Sequence, residues 1–267
     1  MPTPQDFWER SNNEMIELSI DSGNPNAMNI SSNSPYTLRE FTRSAIVSLP
    51  QSMKKNSSDY TYYYTNNRPR YHHAYLLSPL LEMLVKLQLA EERKLRVLDL
   101  GCGNGSLSHV IAEQGCEVVG VDTSAPGIAI SRQSFPECQF IQADIYKLPD
   151  IDMLHSFDVV LAIEVIEHLL YPKELAKNAK KCLKPGGRLI ISTPYHGYLK
   201  NLALAITGKM DKHFTVLWDN GHIKFFSVET LTKLLTHEGY NDIEFRFAGR
   251  LPYLWKSMLC SSKFSGE

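Results

Sequence analysis

The sequence carries no excess of charge. Its 28 Lys and Arg stand against 29 Asp and Glu, so the total points away from a nucleic-acid backbone or an acidic membrane as partner. Cysteine is sparse. The residues Cys102, Cys116, Cys138, Cys182 and Cys260 form no C-x-x-C pair, which argues against a zinc ribbon or disulfide framework and fits reduced thiols in a cytoplasmic protein. No apolar run approaches the ~20 residues that span a bilayer, so stable membrane insertion is not expected. The opening MPTPQDFWERSNNEM lacks the basic and apolar regions of a secretory signal. The sequons at Asn29 and Asn56 therefore carry no expectation of glycosylation.

What is present suffices for one large domain. The chain has 267 residues, 43% of them hydrophobic, enough for an α/β core plus a modest extension. Residues 1–74 read as that extension, a cap over the main domain. The stretch SIDSGNPNAMNISSNS is rich in Ser and Asn and reads as loop. The aromatics and histidines Tyr62, Tyr63, Tyr64, His72 and His73 follow. From 75 to 267 strand and helix patterns alternate: LRVLDLGC, EVVGVDT, QFIQADI, FDVVLAIE, RLIISTP and NDIEFRFAG read as strands, with a weaker strand near SMLCSSK. Helices are expected near 75–89, at SLSHVIAEQG, APGIAISRQSF, PKELAKNAKKCL and SVETLTKLLTHEGY. That order predicts an α/β doubly wound, seven-stranded, mostly parallel sheet. Residues 195–226 are too long for a plain connection and read as a lid-like insertion. Its LKNLALAI segment reads as an apolar helix, with core packing the more frequent explanation and a pocket wall or membrane contact the alternatives.

The densest signal is VLDLGCGNG at 97–105. An apolar strand runs into Gly101, Gly103 and Gly105 and then straight into a helix, which lets the backbone turn tightly and approach a ligand. Asp122 ends the next strand 17 residues past Gly105, where a carboxylate accepts both hydroxyls of a ribose. A dinucleotide fingerprint has the spacing G-x-G-x-x-G, and Asp99 just before this loop would repel a pyrophosphate. It suits instead a ligand with an ammonium and a sulfonium, S-adenosylmethionine.

VLDLGCGNG, VVGVD, QADI and LKPGGRLIISTP, in this order and spacing, resemble the class I S-adenosylmethionine-dependent methyltransferases, which have a Rossmann-like fold. The resemblance implies that Asp99, Gly101 and Gly103 hold the methionine end of the cofactor and that Asp122 with Thr123 holds the ribose. Asp144 and Ile145 would border the adenine, and Ile163 would form the far wall. It implies transfer to a small-molecule acceptor, with an aromatic or quinone-like hydroxyl first and a metabolite nitrogen next.

AIEVIEHLLYP, with Glu164, Glu167 and His168, follows the fourth strand, where such chemistry needs a base or a pKa-lowering metal. If a helix begins near Glu164, the three side chains share one face. They resemble the E-x-x-E-H motif of the ubiquinone-biosynthesis O-methyltransferases and of the metal-dependent RNA 2′-O-methyltransferases. The latter add a later histidine, for which His222 is the match. Two readings stand. In one, Glu164, Glu167, His168 and His222 hold a divalent cation. In the other no metal binds, Glu164 lies toward the cofactor, Glu167 sits favourably at a helix start, and His168 is a base. The second is preferred here, with His168, or the lid histidines His196 and His222, serving the substrate. A small-molecule acceptor is favoured over RNA by the neutral charge. A cofactor-binding scaffold without activity is the non-enzyme alternative. Oligomeric state leaves no mark in the sequence.

Overall fold

Strands buried on both faces read as continuous apolar runs, and the central strands here have that character. In the computed structural model, which describes residues 64–70, 73–148, 154–214, 216–218 and 221–266, the order is α1 His73–Glu91, β1 Arg96–Leu100, α2 Ser106–Glu113, β2 Glu117–Asp122, α3 Ala125–Ser134 and β3 Gln139–Gln142. There follow β4 Phe157–Ile163, a 3₁₀ turn Ile166–His168, α4 Pro172–Cys182, β5 Leu183–Pro194, α5 Tyr198–Ile206, α6 Met210–Phe214, α7 Val228–His237, β6 Tyr240–Ala248 and β7 Ser257–Phe264. The expected cap, with Tyr62, Tyr63 and His72, lies outside the described residues apart from 64–70 and the start of α1.

The strands form one seven-stranded sheet in the order β3-β2-β1-β4-β5-β7-β6. β1 to β5 pair in parallel and β7 runs antiparallel to both its neighbours. The expected doubly wound, mostly parallel sheet is therefore present. Strand order reverses between β1 and β4, and in open α/β sheets the crevice beyond the carboxyl ends at such a switch point is where ligands bind. Helix α4 shows why the layers hold. Leu175, Ala176, Ala179 and Cys182 turn to the sheet, while Lys173, Lys177 and Lys181 stay exposed, the solvated face that amphipathic spacing implies. All five cysteines are free and buried. Among the described residues no helix is long and apolar enough to cross a membrane.

Two local expectations need correction. The fifth strand is longer than the expected RLIISTP: β5 starts at Leu183, and its register with β4 shifts between Phe157 and Val159. Gly186, at φ 84°, supplies the left-handed backbone that absorbs the shift. The LKNLALAI segment is a helix, but it is not core. Tyr198, Leu199, Leu202 and Ile206 are exposed, and its one buried residue is Lys200.

The amino end of the sheet is clasped by Asp158. Its carboxylate accepts from the Arg93 guanidinium at 2.6 and 2.9 Å, from the Arg96 N–H at 2.8 Å and from Lys184 Nζ at 2.8 Å. Burial alone would raise its pKa, but these donors reverse that and hold the carboxyl well below the usual range. Asp158→Ala is expected to cost about 2 kcal/mol in urea unfolding, less than a fully buried pair because Arg93 and Lys184 can return to water. Because the folded pKa is depressed, the contribution is complete above roughly pH 4 and is lost as pH falls below it. Stability curves of wild type and variant should draw together progressively as pH falls from about 4 and meet only under strongly acid conditions, below the folded pKa.

Candidate active site

The glycine loop begins where β1 ends. Gly101 and Cys102 N–H both donate to the Val121 carbonyl, at 2.7 and 3.1 Å, which ties the loop to β2. Gly101 has φ 82°, and a Cβ there would stand 2.5 Å from Val165 Cγ2. The loop and the segment after β4 thus touch across the switch point. Gly103 has φ 57°, and its Cβ would meet the Tyr64 hydroxyl at 2.3 Å, so Tyr64 lies on the loop. Asp122 completes this floor. Its two oxygens accept from Gly103 N–H at 2.8 Å and Ser124 N–H at 2.7 Å, while burial raises its pKa against the pull of those donors. Tyr64 is pushed up to about 12 by burial and by the charge of Asp122, and the Arg70 guanidinium sits 4.6 Å over its ring.

The remaining cofactor candidates take different positions. Asp99 is buried beneath the loop, where one oxygen accepts from Ser108 Oγ at 2.6 Å, and burial raises its pKa to about 6. Thr123 is exposed at the end of β2, and its carbonyl accepts from Gln142 at 3.4 Å. Asp144, after β3, is half-buried and holds the Tyr146 N–H at 2.9 Å. Ile145 and Ile163 are buried. Asn104 went unnoticed in the sequence. It is 3% exposed and donates to the carbonyls of Asn66 and Arg68, both at 2.9 Å, clamping 64–70 onto the loop. The available signal was an amide side chain between two glycines, where the motif itself specifies none.

After β4 the chain departs from the expected helix. Glu164 takes φ 55°, and only Ile166–His168 makes a 3₁₀ turn. The four proposed ligands therefore divide. Glu164 turns to Ser192, whose Oγ donates to it at 2.9 Å, and burial lifts its pKa to about 7 against the bonds from Ser192 and Ser257. Glu167, His168 and His222 come together, each offering a ligand atom within 4.8 Å of the others. Glu167 is fully buried, and neither of its carboxylate oxygens has a hydrogen-bond partner among the described residues. Burial, with the charge of Glu164, drives its pKa well up, against a weaker opposing pull from the Thr193 hydroxyl and a backbone N–H that stand near it without forming a close hydrogen bond. Its main chain is well used, since the carbonyl accepts from Ile223 and Lys224 N–H at 2.9 and 3.0 Å, and this docks the His222 segment.

The histidines fall into two groups. His168 and His222 rings lie 4.9 Å apart. His168 Nδ1 sits 3.1 Å from the Gly221 carbonyl, so it is Nδ1 that carries the proton in that bond, and Nε2 keeps a lone pair when the ring is neutral. Burial and the neighbouring His168 lower His222 to about 4, which keeps it neutral near pH 7. His196 belongs to an aromatic nest instead, 5.9 Å from Phe214 and 5.1 Å from Phe225 between ring centroids. Burial and Lys200 lower it to about 4 as well.

Comparison with known proteins agrees with this architecture. A family model described as a methyltransferase domain matches residues 70–244. The ubiquinone biosynthesis O-methyltransferase of Bradyrhizobium diazoefficiens is 34% identical over 146 residues, 53% of this chain and 56% of that one. Its namesake from Idiomarina loihiensis is 39% identical over 102 residues, 37% and 42% of the two chains. The chain thus spans about half the length of the curated relatives it matches. Among solved structures, magnesium protoporphyrin IX methyltransferase from Synechocystis, with bound SAH, aligns with TM-score 0.53 at 21% identity over 70% of this chain and 83% of that one. The cyclase SpnF aligns with TM-score 0.55 at 16% identity over 78% and 87%. These likenesses concern the fold, and a cyclase among them shows that the fold alone does not name a reaction.

Proposed function

Because the chain belongs to the methyltransferase-domain family, whose model spans residues 70–244, we propose that it is an S-adenosylmethionine-dependent methyltransferase acting on a hydroxyl of a small aromatic or quinone-like molecule. One observation carries this reading: the glycine loop backed by Asp122 meets the Glu164–His168 segment at the switch point, through Gly101 and Val165. The residues fit the cofactor, because the loop keeps its close turn only with glycine at 101 and 103, where a side chain would strike Val165 or Tyr64, and the half-buried Asp122 carboxylate is already bonded to the loop. Asp122 would take the ribose, Asp144 and Ile145 would border the adenine, and Ile163 would close the far side. When bound, the cofactor supplies a methyl group on a sulfonium, open to in-line attack.

The chain's own work is to align the acceptor oxygen, exclude water and remove a proton. His168 is the base in this reading, its Nδ1–H held by the Gly221 carbonyl and its Nε2 the nitrogen that would take the proton. His222, neutral beside it, orients the ring or the acceptor. The aromatics around His196 would form the wall for a planar acceptor.

A divalent cation is a second reading, favoured by the Glu167 carboxyl group, which makes no close hydrogen bond and stands beside His168 and His222. These three residues would hold it, and a magnesium- or manganese-like ion there would lower the pKa of the acceptor hydroxyl. Release of S-adenosylhomocysteine across phenols, amines and carboxylic acids tests the activity. Turnover on phenols alone is expected, and cofactor binding with silence on every acceptor would refute the small-molecule assignment. Adding a chelator then separates the two readings. Unchanged turnover leaves His168 as base, whereas loss with rescue by manganese assigns the cation.

A further inference from the structure

Helix α5 is attached to the protein the wrong way round. An amphipathic helix docks through its apolar face, yet this one exposes Tyr198, Leu199, Leu202 and Ile206 and buries Lys200 to 4% exposure. Lys200 also lies in the first turn, where the helix dipole disfavours a cation. Burial pulls its pKa down to about 8, with Arg250 adding to the effect and Glu164 opposing it. A lysine kept against both penalties needs compensating bonds. Its Nζ donates to the Tyr195 carbonyl at 2.7 Å and reaches the Lys256 carbonyl at 3.4 Å. The Lys256 carbonyl also accepts the Tyr195 N–H at 3.0 Å. These carbonyls lie just past Pro194 and Ser257, the last β5–β7 pair. Gly197 permits the return of the chain, since a Cβ there would lie 1.9 Å from the Tyr195 hydroxyl. Glu164 reaches the same junction through Ser192 and Ser257.

We propose that Lys200 is the positioning residue of the lid: it staples α5 to the end of the β5–β7 ladder and so fixes the His196 wall beside the site, touching neither cofactor nor acceptor. This rests on the reading of the strand ends as the methyl-transfer site, but the staple can be tested apart from it. Trace acetylation of the wild-type chain, read by mass spectrometry, should label Lys200 at least ~10-fold more slowly than the exposed Lys209 and Lys212 on the same lid. Lys200→Met should speed hydrogen exchange of the 198–206 amides by at least ~10-fold, with Lys200→Arg restoring part of the protection. The affinity of Lys200→Met for S-adenosylhomocysteine should stay within about twofold of wild type. With an acceptor in hand, the same variant should raise KM and spare kcat. Equal labelling of the three lysines, unchanged exchange in Lys200→Met, or lost cofactor affinity with the lid still protected would each overturn the proposal. Labelling and exchange give their answer whether or not the wild type binds S-adenosylhomocysteine, so failure of the methyl-transfer reading is seen separately.

Discussion

Asp122→Ala is expected to weaken S-adenosylhomocysteine binding on the order of 100-fold in calorimetry. In the structure both Asp122 oxygens hold backbone N–H groups, one in the glycine loop at Gly103 and one at Ser124 ahead of α3. The substitution therefore removes a ribose acceptor and loosens the loop that forms the cofactor's floor. Each charge-assisted bond is worth about 1.5–3 kcal/mol, and one to two of them convert to roughly two decades in affinity. Asp122→Asn keeps one acceptor oxygen and should fall between the two. An Asp122→Ala variant binding as wild type does would detach the loop from the cofactor.

The second large effect is expected at Glu167. Glu167→Gln should lower methyl transfer about 10²–10⁴-fold, the range for loss of a group that orients or charges an acid–base site, while S-adenosylhomocysteine affinity stays within about twofold. A fully buried carboxyl group whose oxygens make no close hydrogen bond destabilises a fold, and Glu167 is in that state beside His168 and His222, with only the Thr193 hydroxyl and a backbone N–H pulling weakly on it. A group kept at such cost serves a reacting oxygen or a cation. The melting temperature of Glu167→Gln should accordingly be no lower than wild type, which sets this position apart from a structural residue such as Asp158. A variant that loses stability and activity together would make Glu167 a packing residue.

The parts of the site legible in the sequence are those written locally. Gly101, Gly103 and Asp122 sit on a strand–loop–helix–strand unit whose spacing fixes their relation, and the structure joins them by the Gly103–Asp122 bond. The sheet was legible for a similar reason, since two-sided burial leaves continuous apolar runs in β1, β2 and β4. The division of Glu164 from Glu167 was not legible. Periodicity assumes a helix through both, whereas the left-handed backbone at Glu164 sends its carboxylate to Ser192 and leaves Glu167 with His168 and His222. Nor could Lys200 be found. A lysine among leucines reads as the polar interruption of an apolar helix, and only the tertiary position of the Tyr195 and Lys256 carbonyls turns that face inward. Asn104 was hidden likewise, because its partners are main-chain carbonyls of a segment distant in sequence.

On the proposed function, the carboxyl ends of β1, β2 and β4 form one methyl-transfer site. A crystal structure with S-adenosylhomocysteine tests it most directly. The expected density has the ribose on Asp122, the adenine beside Asp144 and Ile145, and the sulfur facing the Glu164–His168 segment. A ligand seated away from the glycine loop, or with its sulfur turned from Glu167 and His168, would exclude that site.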